Sequence, residues 1–118
     1  MDSTEIEQRM ATIQSELGFD VPKLWLTFYL TAQSTLLVAF AEKLAELQAV
    51  NLTDAEGGFL YPKLPVPNSA SQISSLIEQV RSLAAQHNIE VLAVDADTTT
   101  DPSTSRFAEI IRYERTVG

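Results

Sequence analysis

The 118-residue chain contains no cysteine, which excludes disulfides, thiolate metal sites and thiol catalysis. It has a single histidine, His87, so a nucleophilic triad rests on that residue alone, and no Ser/Asp signature surrounds it. Basic residues are scarce: eight Lys and Arg stand against sixteen Asp and Glu, for a net charge of −8 and a pI near 4.4. Phosphate contacts need clustered Lys and Arg, so direct nucleic-acid binding is not expected. Long apolar runs are also missing. The longest, 36–41 and 91–94, fall far short of a bilayer span. The N-terminus, Met1 to Glu5, is acidic where a signal peptide is basic and then apolar. A cytoplasmic protein without membrane contact is the expectation.

What is present fits a globular chain. Hydrophobic residues make up 45% and charged residues 20%, and the length suits one domain. Ile6, Met10, Ile13 and Leu17 recur at helical spacing, with Thr4 and Glu7 as a capping box and Gly18 as the stop, so residues 1–18 read as an amphipathic helix. Leu24, Leu26, Phe28 and Leu30 alternate with Trp25, Thr27 and Tyr29, the pattern of a half-buried strand. A helix over 34–48 follows, with Leu36, Leu37, Phe40, Leu44 and Leu47 on its stripe. Residues 50–56 and 59–66 read as short strands joined in a hairpin at Gly57-Gly58, the second weakened by Pro62 and Pro65. Asn68 to Ser71 starts a third helix running to His87, and Asn88 suits the left-handed stop. Residues 89–94 are apolar on both faces, as in a central strand. Residues 96–105 read as an acidic Ser/Thr loop and 106–118 as a C-terminal extension. The extension fits either a helix turn or an added strand, and its Ile, Tyr, Thr and Val favour the strand.

The core order over 24–95, strand–helix–strand–strand–helix–strand, is that of a ferredoxin-like α+β sandwich. Both crossover helices then cover one sheet face. Trp25 and Tyr29 are left on the other face, with Phe59 and Tyr61 joining them if the register agrees. Either the N-terminal helix or residues 106–117 cover that face, or a protein partner or second copy does.

Candidate chemistry is thin. Asp95-Ala96-Asp97-Thr98-Thr99 after an apolar strand has the outline of a phosphatase DxDxT motif, in which one Asp attacks phosphorus and the other moves the proton. Too little chain follows to supply the remaining groups, and turn chemistry explains the same residues. Asp95, Asp97 and Asp101 lack the Gly and distal Glu of a calcium loop. Neither a metal nor a cofactor is expected, and no enzymatic activity.

The stretch Gly18, Asp20 and Lys23, then Phe28-Tyr29, then Ala39-Phe40-Ala41-Glu42-Lys43-Leu44, together with Leu83-Ala84-Ala85, resembles the regulator of ribonuclease activity B (RraB) family. These are small, very acidic ferredoxin-like proteins. The family's G-E-Y-D-G-W run after the last helix is replaced here by residues 88–93. The resemblance implies a non-catalytic regulator that binds an RNA-processing enzyme or its scaffold and modulates it through an acidic surface. The charge distribution suits a basic partner. Residues 1–20 hold five acids (Asp2, Glu5, Glu7, Glu16, Asp20) against Arg9, and 89–105 hold Glu90, Asp95, Asp97 and Asp101 with no base. Trp25, Tyr29, Phe59, Tyr61, Glu5, Glu16, Asp95 and Asp97 are therefore the expected partner-binding residues. The alternative is a ferredoxin-like domain that binds a small molecule or forms a homodimer through Trp25 and Tyr29.

Overall fold

The alternation at Leu24, Leu26, Phe28 and Leu30 produces strand β1 (Lys23–Thr31), and all four of these side chains are fully buried on one face. The computed structural model of the chain describes residues 3–16, 18–19, 21–52, 56–101 and 103–113, with backbone alone at Ser3, Glu16 and Glu56. β1 lies between two antiparallel neighbours. On one side runs an interrupted strand, β2 (Phe59–Leu60) and β3 (Lys63–Pro67), with Leu60 opposite Leu30 and Leu64 opposite Leu26. On the other side runs β4 (Glu90–Asp97), with Val94 opposite Phe28 and Ala96 opposite Leu26. A further strand, β5 (Phe107–Arg112), pairs antiparallel with β4.

Three helices feed the core that this face begins. α1 (Ser3–Glu16) contributes Ile6, Met10 and Ile13, and α2 (Ser34–Ala45) contributes Leu37, Phe40 and Leu44. α3 (Ala70–Gln86) contributes Ile73, Ile77, Val80 and Ala84. Each set keeps three- and four-residue spacing, so each helix presents one apolar stripe. α1 packs along α3 and reaches β5. Ser69 takes the extended N-cap conformation of α3 without a side-chain cap bond, and Asn88 turns left-handed at φ 59° just past its end. Asn68 instead ties down the connector before β1. Its Nδ2 donates to the carbonyls of Phe19 (2.8 Å) and Val21 (2.7 Å), and its Oδ1 accepts from Gln14 Nε2 (2.5 Å). The result is an α+β fold built on one antiparallel sheet.

Several expectations change. Residues 50–52 form no strand; only Val50 bridges to Lys63. Gln48 and Asn51 adopt φ of 65° and 63°, which breaks an extended run, and 53–55 lie outside the described residues. Gly57-Gly58 closes no hairpin between strands but makes a turn leading into β2. Tyr61-Pro62 divides the predicted 59–66 strand, because proline has no N–H for the ladder; the Pro62 carbonyl still accepts from the Phe28 N–H (3.0 Å). The capping box at Thr4 is also revised, since α1 already includes Ser3. Leu17 and Asp20 lie outside the described residues. The acidic loop begins at Thr98 rather than at 96, because Ala96 and Asp97 are paired on both sides within the sheet. Residues 107–112 are the added strand, and 114–118 lie outside the described residues.

Candidate functional site

The second sheet face carries the polar and aromatic half of each strand. β1 sends Trp25, Thr27 and Tyr29 there, opposite Asp97, Asp95 and Ala93 of β4. β3 adds Lys63 opposite Thr27, and β5 adds Phe107 and Glu109 opposite Asp97 and Asp95. Neither α1 nor the C-terminal stretch covers this face among the described residues. α1 joins the helical layer on the core side, and β5 widens the sheet at its edge. Phe107 is 70% exposed, Phe59 38% and Tyr61 37%.

Two bulges set what lies where. Tyr29 faces Ala93 while Leu30 faces Val91, so Leu92 is the extra residue of β4. Val94 faces Ile111 while Asp95 faces Glu109, so Ile110 is the extra residue of β5. Bulges of this kind re-aim side chains near their position. Here Ile110 and Ile111 are both buried, and Arg112 comes to lie opposite Ala93 on the open face.

One polar cluster sits near the Trp25 end. Asp97 is 7% exposed, and its carboxylate accepts from the Thr27 hydroxyl, from Lys63 Nζ (3.2 Å) and from Ser105 Oγ (3.3 Å). Lys63 Nζ also donates to Thr27 Oγ1 (2.7 Å). A buried carboxylate needs such partners, so this set explains itself as an internal ion pair. Thr27 is 5% exposed and its hydroxyl is directed at Asp97, which leaves it no opening towards a substrate. The loop after β4 seals this end. Thr98 and Arg106 exchange bonds of 2.9 Å, and Asp101 Oδ1 accepts from the N–H (2.9 Å) and hydroxyl (2.8 Å) of Ser103. The turn chemistry expected at Asp95 and Asp97 is therefore found at Asp101.

The other end is a trough of about 840 Å³. Tyr29 and Tyr61 meet edge to face at 5.4 Å, and Phe59 stacks on Tyr61 at 6.3 Å, forming one wall. Phe107 and Tyr113 line the opposite side, and Ala93 and Asp95 the floor. Tyr29 donates its phenol hydrogen to Asp95 Oδ2 (2.5 Å). Burial pushes the Asp95 carboxyl above the usual carboxylate range; the nearby Asp97 and Glu109 charges add to this, while the Tyr29 bond and Arg112 oppose it. Burial and the same Asp95 bond raise the Tyr29 phenol well above ordinary tyrosine, so its proton stays on oxygen. At the rim Arg112 Nε donates to Glu109 Oε1 (2.9 Å), which holds Glu109 low.

Of the residues singled out from sequence, Tyr29, Phe59, Tyr61 and Asp95 come together in the trough. Asp97 shares their face but belongs to the neighbouring ion pair. Trp25 lies outside the trough, with Lys23 Nζ 4.7 Å from its ring centroid. Glu5 sits in the first turn of α1, in the helical layer, and the Glu16 side chain lies outside the described residues. Phe107, Glu109, Arg112 and Tyr113 line the trough without having been singled out. The alternation Phe107, Glu109 in a strand next to β4 would have flagged the first two. Among the described residues no cluster of three or more His, Asp and Glu suits a metal ion. No helix among them is long and apolar enough to cross a membrane.

Comparison with known proteins returns no match to a family model, to a curated protein or to a solved structure.

Proposed function

We propose that this chain is a non-catalytic, acidic protein-binding module that docks a basic partner on its open sheet face. The observation that carries the reading is the trough itself. Three exposed aromatic rings rim a depression whose floor holds a carboxylate, on a chain of net charge −8. Exposed apolar surface rimmed by charge marks interaction sites, and a strongly acidic molecule attracts basic partners. The RraB resemblance points the same way, to regulation of an RNA-processing enzyme in the cytoplasm.

The finer fold reading is ferredoxin-like. The strand order (β2/β3)–β1–β4, with α2 and α3 between its strands, supports that reading. The single Val50–Lys63 bridge stands where its remaining edge strand would run, and β5 is an addition at the far edge.

A lysate pull-down with the full chain, at low and then moderate salt, tests the function. The expected result is a protein partner retained at low salt, released at moderate salt and lost from a Tyr61→Ala/Phe107→Ala variant. A lysate that yields no salt-sensitive partner overturns the reading. The exposure of Phe107 also favours a second reading, self-association through the same face. Sedimentation of the wild type, Trp25→Ala and Phe107→Ser separates the two, and a monomer in all three removes the dimer.

A further inference from the structure

The trough is bounded by the sheet on one side only, and its aromatic rims stand in solvent. A free small molecule needs most of its surface enclosed, which this shape does not offer. A side chain presented by a larger partner does not need that, because flanking contacts hold it. The floor defines the chemistry of that side chain. Asp95 Oδ2 accepts from Tyr29, while Oδ1 receives no hydrogen bond from any described residue. The charged groups facing the trough are Asp95, Glu109 and Arg112, so the carboxylates exceed the cation by one. Above the floor Tyr61 and Phe59 stack nearly parallel, 13° apart with centroids 6.3 Å apart, and present an exposed aromatic surface at the rim. A flat cation stacks on such a surface and pairs with such a carboxylate. The chain uses the same chemistry on itself, with Arg81 4.1 Å from the Tyr113 ring centroid and Arg106 5.5 Å from that of Phe19.

From this geometry we infer that the trough receives one arginine side chain of the basic partner, its guanidinium stacked on Tyr61 and hydrogen-bonded to Asp95 Oδ1. The inference deepens the function proposed above and rests on it. Arginine fits better than lysine because only a planar guanidinium both stacks and donates along a fork. A second copy of the chain is a poor source. Two molecules at −8 repel, and the four described arginines are engaged: Arg9, Arg106 and Arg112 donate to the Glu109 carbonyl, the Gly18 carbonyl and the Glu109 carboxylate, and Arg81 lies over Tyr113.

The test is an amide-resolved NMR titration of the full chain with three peptides: acetyl-Gly-Gly-Arg-Gly-Gly-amide and its versions with Lys or Ala at the centre. The arginine peptide is expected to bind in the millimolar range and to shift the signals of Tyr29, Tyr61, Ala93 and Asp95. The lysine peptide is expected to bind several-fold more weakly, and the alanine peptide to leave those signals unmoved. Asp95→Asn and Tyr61→Ala should each weaken arginine binding about ten-fold, about 1.4 kcal/mol. Glu42→Gln, an equal loss of charge on the exposed side of α2, should not. If Asp95→Asn fails to fold, Tyr61→Ala decides. Equal binding of the arginine and alanine peptides overturns the inference. So does undiminished binding in a folded Asp95→Asn, or shifts confined to the helical layer. Trough shifts produced by raising the protein concentration alone assign the site to a second copy and also overturn it. A salt-sensitive partner in the pull-down beside a silent titration would leave the module standing and remove only the arginine; loss of both removes the parent reading.

Discussion

Replacing Lys63 with methionine keeps the aliphatic stem and deletes only the charge that faces Asp97. The side chains of Lys63 and Asp97 are 20% and 10% exposed, and their charged atoms lie 3.2 Å apart. At an effective dielectric of about 20, that separation corresponds to about 5 kcal/mol of gross attraction. Most of it offsets the desolvation of the two ions, so the net worth of the pair is small. Removing one partner differs, because the Asp97 carboxylate then stays buried with only the Thr27 and Ser105 hydroxyls beside it. Breaking a fully buried pair costs about 3–5 kcal/mol; with Lys63 partly exposed, Lys63→Met is expected to cost about 2–4 kcal/mol. Asp97→Asn should cost less, about 1 kcal/mol, because the freed lysine can turn into water. The double variant should be more stable than the sum of the single losses implies, by at least about 1 kcal/mol. Urea unfolding followed by far-UV circular dichroism and by the fluorescence of Trp25, the only tryptophan, measures all four proteins. Equal m-values are required for the comparison. A Lys63→Met loss below about 0.5 kcal/mol, or strict additivity in the double variant, would refute the assignment of this cluster as a buried ion pair.

Four further outcomes are expected. Phe40 is fully buried between α2 and the core, so Phe40→Ala should lower unfolding stability by about 3–5 kcal/mol in the same assay. Gly58 sits at φ 82°, and a Cβ there would lie 2.9 Å from the Ala32 carbonyl oxygen, so Gly58→Ala should lower Tm by an amount equivalent to more than about 1 kcal/mol. Ser74 is buried, and its hydroxyl has no hydrogen-bond partner among the described residues. Ser74→Ala should therefore raise stability by about 1 kcal/mol, and a loss would reveal a partner. The Asp95 carboxyl titrates higher in the folded chain than in the unfolded one. Its contribution to stability is thus full below about pH 3.9 and is lost as pH rises through the raised folded value. Asp95→Asn should then match the wild type in acid and equal or exceed it at pH 7, by less than about 1 kcal/mol. Thermal melts across that range decide the sign.

The periodic parts of the chain were legible because burial has a period. The stripe Ile73, Ile77, Val80 and Ala84 and the alternation Leu24 to Leu30 read directly as a helix and a one-faced strand. What failed was local and involved backbone conformations that residue type only biases. Gln48 and Asn51 turn left-handed without being glycine, and the side-chain amide of Asn51 holds the Tyr61 carbonyl at 2.8 Å. That bond replaces the strand that the apolar Val50 and Leu52 suggested. Asp95 and Asp97 failed for a different reason. Carboxylates at the end of an apolar strand read as a solvated loop unless their cross-strand partners are known, and those partners, Thr27, Tyr29 and Lys63, lie more than thirty residues away.

The trough shows the same limit at the scale of a whole site. Strict alternation along β5 would place Phe107, Glu109 and Ile111 on the open face and bury Arg112. The bulge at Ile110 shifts the phase by one residue, so two adjacent isoleucines are buried and the arginine emerges beside Glu109. The adjacent pair Ile110-Ile111 is the sequence trace of that shift, since a one-faced strand cannot bury both without it. The bulge at Leu92 does the corresponding service in β4, admitting Val91 to the core side while Leu92 lines the trough. The placement of Leu92 and Arg112 along the trough therefore follows from two bulges whose extra residues carry no polar group of their own. Deleting Ile110 should remove the bulge without moving its neighbours, leaving Glu109 opposite Asp95, Ile111 opposite Val94 and Arg112 opposite Ala93, so arginine-peptide binding should persist; loss of binding in a folded deletion variant would refute this register.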